Sequence, residues 1–214
     1  MRRAALTVFA LLTASSVAAA PPVTPSPPPA QMRVALFVDT SEAASPALSQ
    51  IRDGVAAFID ALPPETEVVL VSTGRRVQVR VPPTTDHKKL KSAASGLLSD
   101  GGPTPLLDAL LEVDDRFMKK SDRPIFVIVT GDGSESSVRV DDKAFNGWLN
   151  SIPARHITVH GILLKSTGTG MPETITNAAV KASGGHYDVM SNGKALPEKL
   201  KALAELIAGD RERD

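Results

Sequence analysis

Between Arg33 and Ile207 the chain alternates short, almost continuous apolar runs with longer stretches whose apolar residues recur every three or four positions. A continuous apolar run suits a strand buried on both faces, and the longer spacing suits a helix packed along one side. Alternating strands and helices joined by short loops build a mostly parallel sheet with helices on both faces. Strands are expected at Arg33 to Val38 (RVALFV), Glu67 to Ser72 (EVVLVS), Pro124 to Val129 (PIFVIV), His156 to Leu164 and His186 to Met190. Val77 to Val81 (VQVRV) alternates in polarity and reads as a short antiparallel edge strand. The expectation is a doubly wound α/β domain with a six-stranded sheet and PIFVIV, the most uniformly apolar run, at its centre.

The helical stretches carry their own punctuation. Ser45-Pro46 reads as an N-cap and first helical residue, and Leu48, Ile51, Val55, Ile59 and Leu62 then form one face up to Pro63-Pro64. Asp86 to Leu98 is a second helix, broken by Asp100-Gly101-Gly102-Pro103. Thr104-Pro105 repeats the cap pair, with Leu106, Leu110, Val113 and Phe117 inward. Helices follow at Ala144 to Ile152, at Pro172 to Ala182, and along the stripe Leu196, Leu200, Leu203 and Ile207.

Residues 1–20 have a different character. Arg2 and Arg3 precede an apolar core from Ala4 to Leu12 and small residues from Ser16 to Ala20, the layout of a secretory signal peptide. Its apolar core falls short of the ~20 residues that span a bilayer. Residues 21–31 (PPVTPSPPPAQ) read as a proline-rich extended linker, so the folded domain is expected over 32–214. This organisation predicts an exported protein, periplasmic or secreted, with no membrane insertion once the signal is cleaved.

Charge and residue types remove several function classes. Lysine plus arginine equals aspartate plus glutamate at 24 each, so no overall field draws the chain to nucleic acid. Cysteine is absent, which excludes disulfides, thiolate nucleophiles and Cys-ligated metals. His156 and His160 have the spacing of a helical zinc pair, but in a β-run (HITVHGILL) that spacing spans ~13 Å, so they read as strand residues. TGDGS at Thr130 to Ser134 lacks a nucleophile elbow, and neither Gly101-Gly102 nor the Gly168–Gly170 segment completes a phosphate-binding fingerprint. The DRERD tail at Asp210 to Asp214 solvates a helix end. Arg75 and Arg76 follow a different strand from the loops considered next.

Open parallel sheets bind ligands outside the carboxyl ends of their strands. Two loops there, Asp39 to Ser45 (DTSEAAS) and Thr130 to Ser137 (TGDGSESS), gather hydroxyls and carboxylates. With GGPTPLLDAL, which holds Thr104, and the late segment ASGGHYDVM, they make the chain resemble the von Willebrand factor A family over nearly all of Arg33 to Asp210. The family's Asp-x-Ser-x-Ser motif falls on Asp39, Ser41 and Ala43, its second-loop threonine on Thr104, and its third-loop aspartate on Asp132.

The resemblance implies a metal-ion-dependent adhesion site, with Mg²⁺ or Mn²⁺ held by Asp39, Ser41, Thr104 and Asp132 and a coordination position left for an acidic group of a protein partner. Ala43 departs from the pattern, deleting one ligand oxygen, and Glu42 adds a charge beside the site. A loop that kept the fold and lost the ion is the competing expectation. The functional expectation is a non-enzymatic protein-binding module. Two alternatives stay open: a metal-dependent hydrolase using Asp39 and Asp132, and a structural subunit of a surface or periplasmic assembly.

Overall fold

The computed structural model describes residues 32–165 and 170–211. The leader, the linker, most of the Gly168–Gly170 segment and the end of the charged tail lie outside the described residues. Among the described residues there are six strands: β1 Met32–Val38, β2 Glu67–Gly74, β3 Arg76–Thr84, β4 Arg123–Gly131, β5 Thr158–Leu164 and β6 Tyr187–Met190. They form one sheet in the order β3-β2-β1-β4-β5-β6. β3 pairs antiparallel with β2, and every other pairing is parallel. The doubly wound, mostly parallel sheet with an antiparallel edge is therefore the observed fold, and β4 is central.

The helices are α1 Leu48–Ala61, α2 His87–Ser95, α3 Leu106–Val113, α4 Asp142–Ser151, α5 Met171–Ser183 and α6 Leu196–Arg211. Side chains along β1 alternate between two cores, which is why its sequence is apolar at every position. Val34, Leu36 and Val38 join Ile51, Val55 and Phe58 of α1, Leu90 of α2 and Leu200 and Leu203 of α6. Ala35 and Phe37 join Leu106 and Leu110 of α3, Trp148 of α4 and Ile175 of α5. On that second side Phe126 stacks on Phe37 at 5.9 Å and meets Trp148 edge-on at 5.5 Å. Truncating such a buried ring to alanine costs about 3–5 kcal/mol.

Three local expectations change. Ser45 is exposed and caps no helix; it opens a short 3-10 turn, Ser45–Ala47, whose first bond runs from the Ala47 amide to the Ala44 carbonyl at 3.0 Å. Proline suits the first position of that tighter turn as well as of an α-helix, so the Ser-Pro pair marks the bend without supplying a cap. Thr104 is not a cap either: it forms an isolated bridge with Glu135, and α3 starts after Pro105. His156 lies before β5, in a left-handed conformation (φ 51°) that ends the turn Pro153–Arg155, and only His160 is in the strand. Strand geometry thus does not relate the two histidines.

Candidate functional site

The site is assembled where β1 and β4 end side by side, because their neighbouring loops must leave the sheet together. Asp39, directly after β1, is buried, and its amide donates to the Val129 carbonyl at 2.9 Å. Its carboxylate is held on both sides. Oδ1 accepts from the Ser41 amide at 2.8 Å, and Oδ2 accepts from the Gly131 amide at 2.9 Å and from the Thr130 hydroxyl at 3.2 Å. Burial raises the Asp39 pKa above the ordinary aspartate value, and the bonds from Gly131, Ser41 and Thr130 oppose that rise. A carboxylate offers about four lone-pair sites, two on each oxygen. Oδ2 thus receives two of these bonds and Oδ1 one, and the Ser41 side chain also bears on the carboxylate.

Backbone bonds stitch the three loops into one unit. The Glu42 amide donates to the Gly102 carbonyl at 3.0 Å, joining the first loop to the second. The Thr104 amide donates to the Ser134 carbonyl at 2.9 Å and the Ser136 amide to the Thr104 carbonyl at 3.0 Å, joining the second to the third. Ser41, Glu42, Ala43, Gly102, Pro103, Gly133 and Ser134 line an open depression of about 400 Å³ between them. Asp132 is half-buried on the third loop. Asp39, Ser41, Thr104 and Asp132 thus stand on three interlocked loops at the carboxyl end of the sheet.

Two of these residues carry buried oxygens without a hydrogen-bond partner: Ser41 Oγ and Thr104 Oγ1. Leaving a buried hydroxyl unpaired costs about 1–3 kcal/mol; Thr66 and Thr176 carry such hydroxyls as well, and what sets Ser41 and Thr104 apart is their place on two interlocked loops. The donor chemistry fits a hard divalent cation, which takes oxygen ligands and in the case of Mg²⁺ keeps several waters. The Ser41 and Thr104 hydroxyls and the Asp39 carboxylate are oxygens of that kind. Ala43 supplies no oxygen, and a Cβ added at Gly133 would lie 2.6 Å from its methyl, so the third loop packs tightly over this residue. Among the described residues no cluster of three or more His, Cys, Asp or Glu side chains is suited to a metal.

Several supporting residues escaped the sequence reading. Thr40 donates its hydroxyl to Asp100 Oδ2 at 2.8 Å, and Arg80, from β3, donates to the same oxygen at 3.1 Å and to Ser72 Oγ at 2.7 Å. Asp100 therefore ties the second loop to the first and to the edge strand. Glu135 Oε1 and Ser137 Oγ accept from the Leu107 and Asp108 amides at 3.3 and 2.8 Å, supplying the cap that Thr104 does not. In return the buried Asp108 carboxylate accepts from the amides of Val138, Arg139 and Val140 at 3.2, 3.0 and 3.0 Å. None of these pairs is close in sequence, so no local motif announces them.

Arg75 does follow a different strand, β2, yet its amide donates to the Gly101 carbonyl at 3.2 Å, so the β2–β3 turn touches the second loop. Gly74 allows that contact, since a Cβ there would lie 2.6 Å from Thr40 Oγ1.

Comparison with known proteins follows the geometry. The family model described as von Willebrand factor type A domain matches residues 34–135. No curated protein matches the chain. Among solved structures, a von Willebrand factor type A protein from Catenulispora acidiphila superposes with a TM-score of 0.68 at 13% identity, covering 82% of this chain and 42% of its own. This chain thus spans less than half of that protein. The von Willebrand factor domain of the type V pili tip protein Mfa5 from Porphyromonas gingivalis gives 0.66 at 10% identity, covering 88% of this chain and 98% of its own. Proximal thread matrix protein 1 from the mussel byssus gives 0.63 at 16% identity, covering 84% and 48%. At such identities the likeness carries the fold alone.

Proposed function

We propose that the chain carries a von Willebrand factor type A domain, whose family model matches residues 34–135, and that it is an exported, non-enzymatic protein-binding module. It engages its partner through the three loops at the carboxyl end of the sheet, with Mg²⁺ or Mn²⁺ held by Asp39, Ser41, Thr104 and Asp132. The observation that carries this reading is the pair of buried, unpartnered hydroxyls, Ser41 Oγ and Thr104 Oγ1, on two different loops beside Asp39. When bound, the cation supplies a Lewis-acidic position for a carboxylate of the partner. The chain's own part is to hold the loops rigid, which the Asp39, Asp100 and Asp108 networks do before any partner arrives.

A protein is the favoured partner because apolar side chains border the same loops. Leu98 and Val138, 68% and 90% exposed, lead into the second loop and out of the third, and Met171, 53% exposed, follows Gly170, which packs against Asp132 and Gly133. Exposed apolar groups around a polar centre are the usual make-up of a protein-binding face. The balanced charge and the few aromatic residues give nucleic acid nothing to hold. Among the described residues no helix is long and apolar enough to cross a membrane. The basic, apolar and small-residue order of residues 1–20 supports export to the periplasm or medium.

Binding is favoured over hydrolysis because none of the four histidines stands in the three loops. His87 starts α2, His156 and His186 precede β5 and β6, and His160 lies within β5 with Nδ1 accepting from the His186 amide at 3.1 Å. The test is calorimetric titration of Mg²⁺ and Mn²⁺ into the full chain, wild type beside Thr104→Val and Asp39→Asn, with thermal unfolding read alongside. Wild-type binding that both variants weaken supports the cation site. Equal heats in all three proteins, or none in any, removes the cation from the proposal.

A further inference from the structure

Among the described residues two non-glycine side chains sit at positive φ, His156 and, in the β2–β3 turn, Arg75. Gly74 and Arg76 pair directly, so Arg75 alone makes the turn, and it does so at φ 26°, a positive value that a side chain disfavours. Glycine would meet that backbone without strain. Residues held in sparsely populated conformations cluster at binding sites, where the side chain repays the cost.

Arg75 has such a position. Its Cβ and Nε lie 3.9 Å from where a Cβ on Gly102 would stand, so its stem runs along a residue that lines the depression. Gly101 and Gly102, at φ 65° and 63°, present bare backbone to it. Arg80, by contrast, is fully engaged by Ser72 and Asp100, and Arg139 by Asp108 and Glu112. Arg75 and Arg76 are exposed and form no ion pair among the described residues. Next to the glycine pair in the fold stand Asp100, already engaged by Arg80 and Thr40, and the exposed Glu42, whose amide donates to the Gly102 carbonyl.

We infer that Arg75 is a specificity-determining residue of this face, and that the partner presents an acidic segment whose carboxylate its guanidinium receives beside the hydroxyl loops. A planar guanidinium grips a carboxylate through two parallel hydrogen bonds, a geometry that lysine does not reproduce. The inference rests on the reading of the three loops as the binding face.

A random heptapeptide display library, selected on the immobilised full chain with Mg²⁺ present, tests it. The wild type selects peptides with acidic residues at two or more positions. Arg75→Gly, which relieves the turn, and Arg75→Gln, which keeps a polar side chain without the charge, each lose one acidic position. Each also binds the best wild-type peptide at least tenfold more weakly by fluorescence anisotropy. The same acidic preference and affinity in both variants overturns the inference, as does a wild type that selects no acidic peptides. Thr104→Val separates this from failure of the underlying reading. If it selects and binds as the wild type does, the hydroxyl loops are not the binding face, whatever the Arg75 variants show.

Discussion

Thr104→Val is the substitution for which the structure gives the least intuitive expectation. Valine keeps the shape and the β-branch of threonine and replaces only Oγ1, an atom that is buried and accepts or donates no hydrogen bond. The backbone role of residue 104, its amide to Ser134 and its carbonyl to Ser136, is untouched. An unpaired buried hydroxyl costs about 1–3 kcal/mol, so the variant is expected to be more stable by about that amount in chelator. For a domain of this size ~1 kcal/mol moves the melting temperature by about 2–4 °C, giving a rise of roughly 2–12 °C in EDTA. Mg²⁺ then reverses the order. A ligand at 100 times its dissociation constant stabilises the fold by about 2.7 kcal/mol. The wild type gains this, and the variant gains less because one ligand oxygen is gone. Differential scanning fluorimetry of both proteins in EDTA and across a Mg²⁺ series reads both halves. A variant that melts lower than the wild type in EDTA refutes the claim that the hydroxyl is unpaired, and equal Mg²⁺ shifts refute its role as a ligand.

Other expectations follow from the same accounting. Ala43→Ser restores the missing hydroxyl of the first loop and is expected to tighten Mg²⁺ binding about tenfold, or ~1.4 kcal/mol, by calorimetry; an unchanged affinity means residue 43 does not face the ion. Asp108→Ala releases the amides of Val138 to Val140 and is expected to cost about 2 kcal/mol in guanidinium denaturation, with faster hydrogen exchange at those amides. Exchange that stays slow would show the loop is held by something else. His160 is buried, and burial first, then the His186 charge, against a weaker pull from Asp210, lowers its pKa from 6.5 to about 4. The unfolded chain therefore takes up this proton before the folded one. Stability from His160 is full above pH 6.5 and falls by about 3 kcal/mol as pH drops through about 4. Urea denaturation at pH 7 and pH 4 measures the loss, and His160→Asn, which keeps an acceptor for the His186 amide, is expected to remove most of it.

The central place of β4, the antiparallel edge and the two-sided burial of β1 and β4 were legible because they are written in consecutive residues. RVALFV and PIFVIV cannot expose either face, so helices must cover both. The hydroxyl loops were legible by position, since Asp39 and the Thr130 to Ser137 segment follow those same strands. What stayed hidden was everything settled by residues distant in sequence. Ser-Pro and Thr-Pro pairs look like caps, yet α3 is capped by Glu135 and Ser137, some 28 positions or more away, and Thr104 is left with a buried hydroxyl instead. His156 looked like a strand residue because ITV follows it, but its left-handed backbone belongs to the preceding turn. Arg75 looked remote because chain order separates it from Gly101 by a strand and a helix, while the antiparallel return of β3 brings the turn back to the second loop.

That return gives the edge hairpin a task beyond closing the sheet. Arg80 holds Asp100 from one strand of the hairpin while Gly74 and Arg75 press its tip on Thr40 and Gly101. The first and second loops are therefore fixed from the side as well as from beneath, and Thr40 can keep its bond to Asp100 whether or not Ser41 and Thr104 have a ligand. A site whose oxygens are unpaired but whose loops are fully bonded is preorganised: the cost of orphaning the hydroxyls is met during folding, and binding has little left to order. The strained φ of Arg75 belongs to the same economy, because it too is carried by the free protein. Stability withheld at Ser41, Thr104 and Arg75 is then available to binding, and substitutions that raise the melting temperature at those positions are expected to lower affinity for the partner.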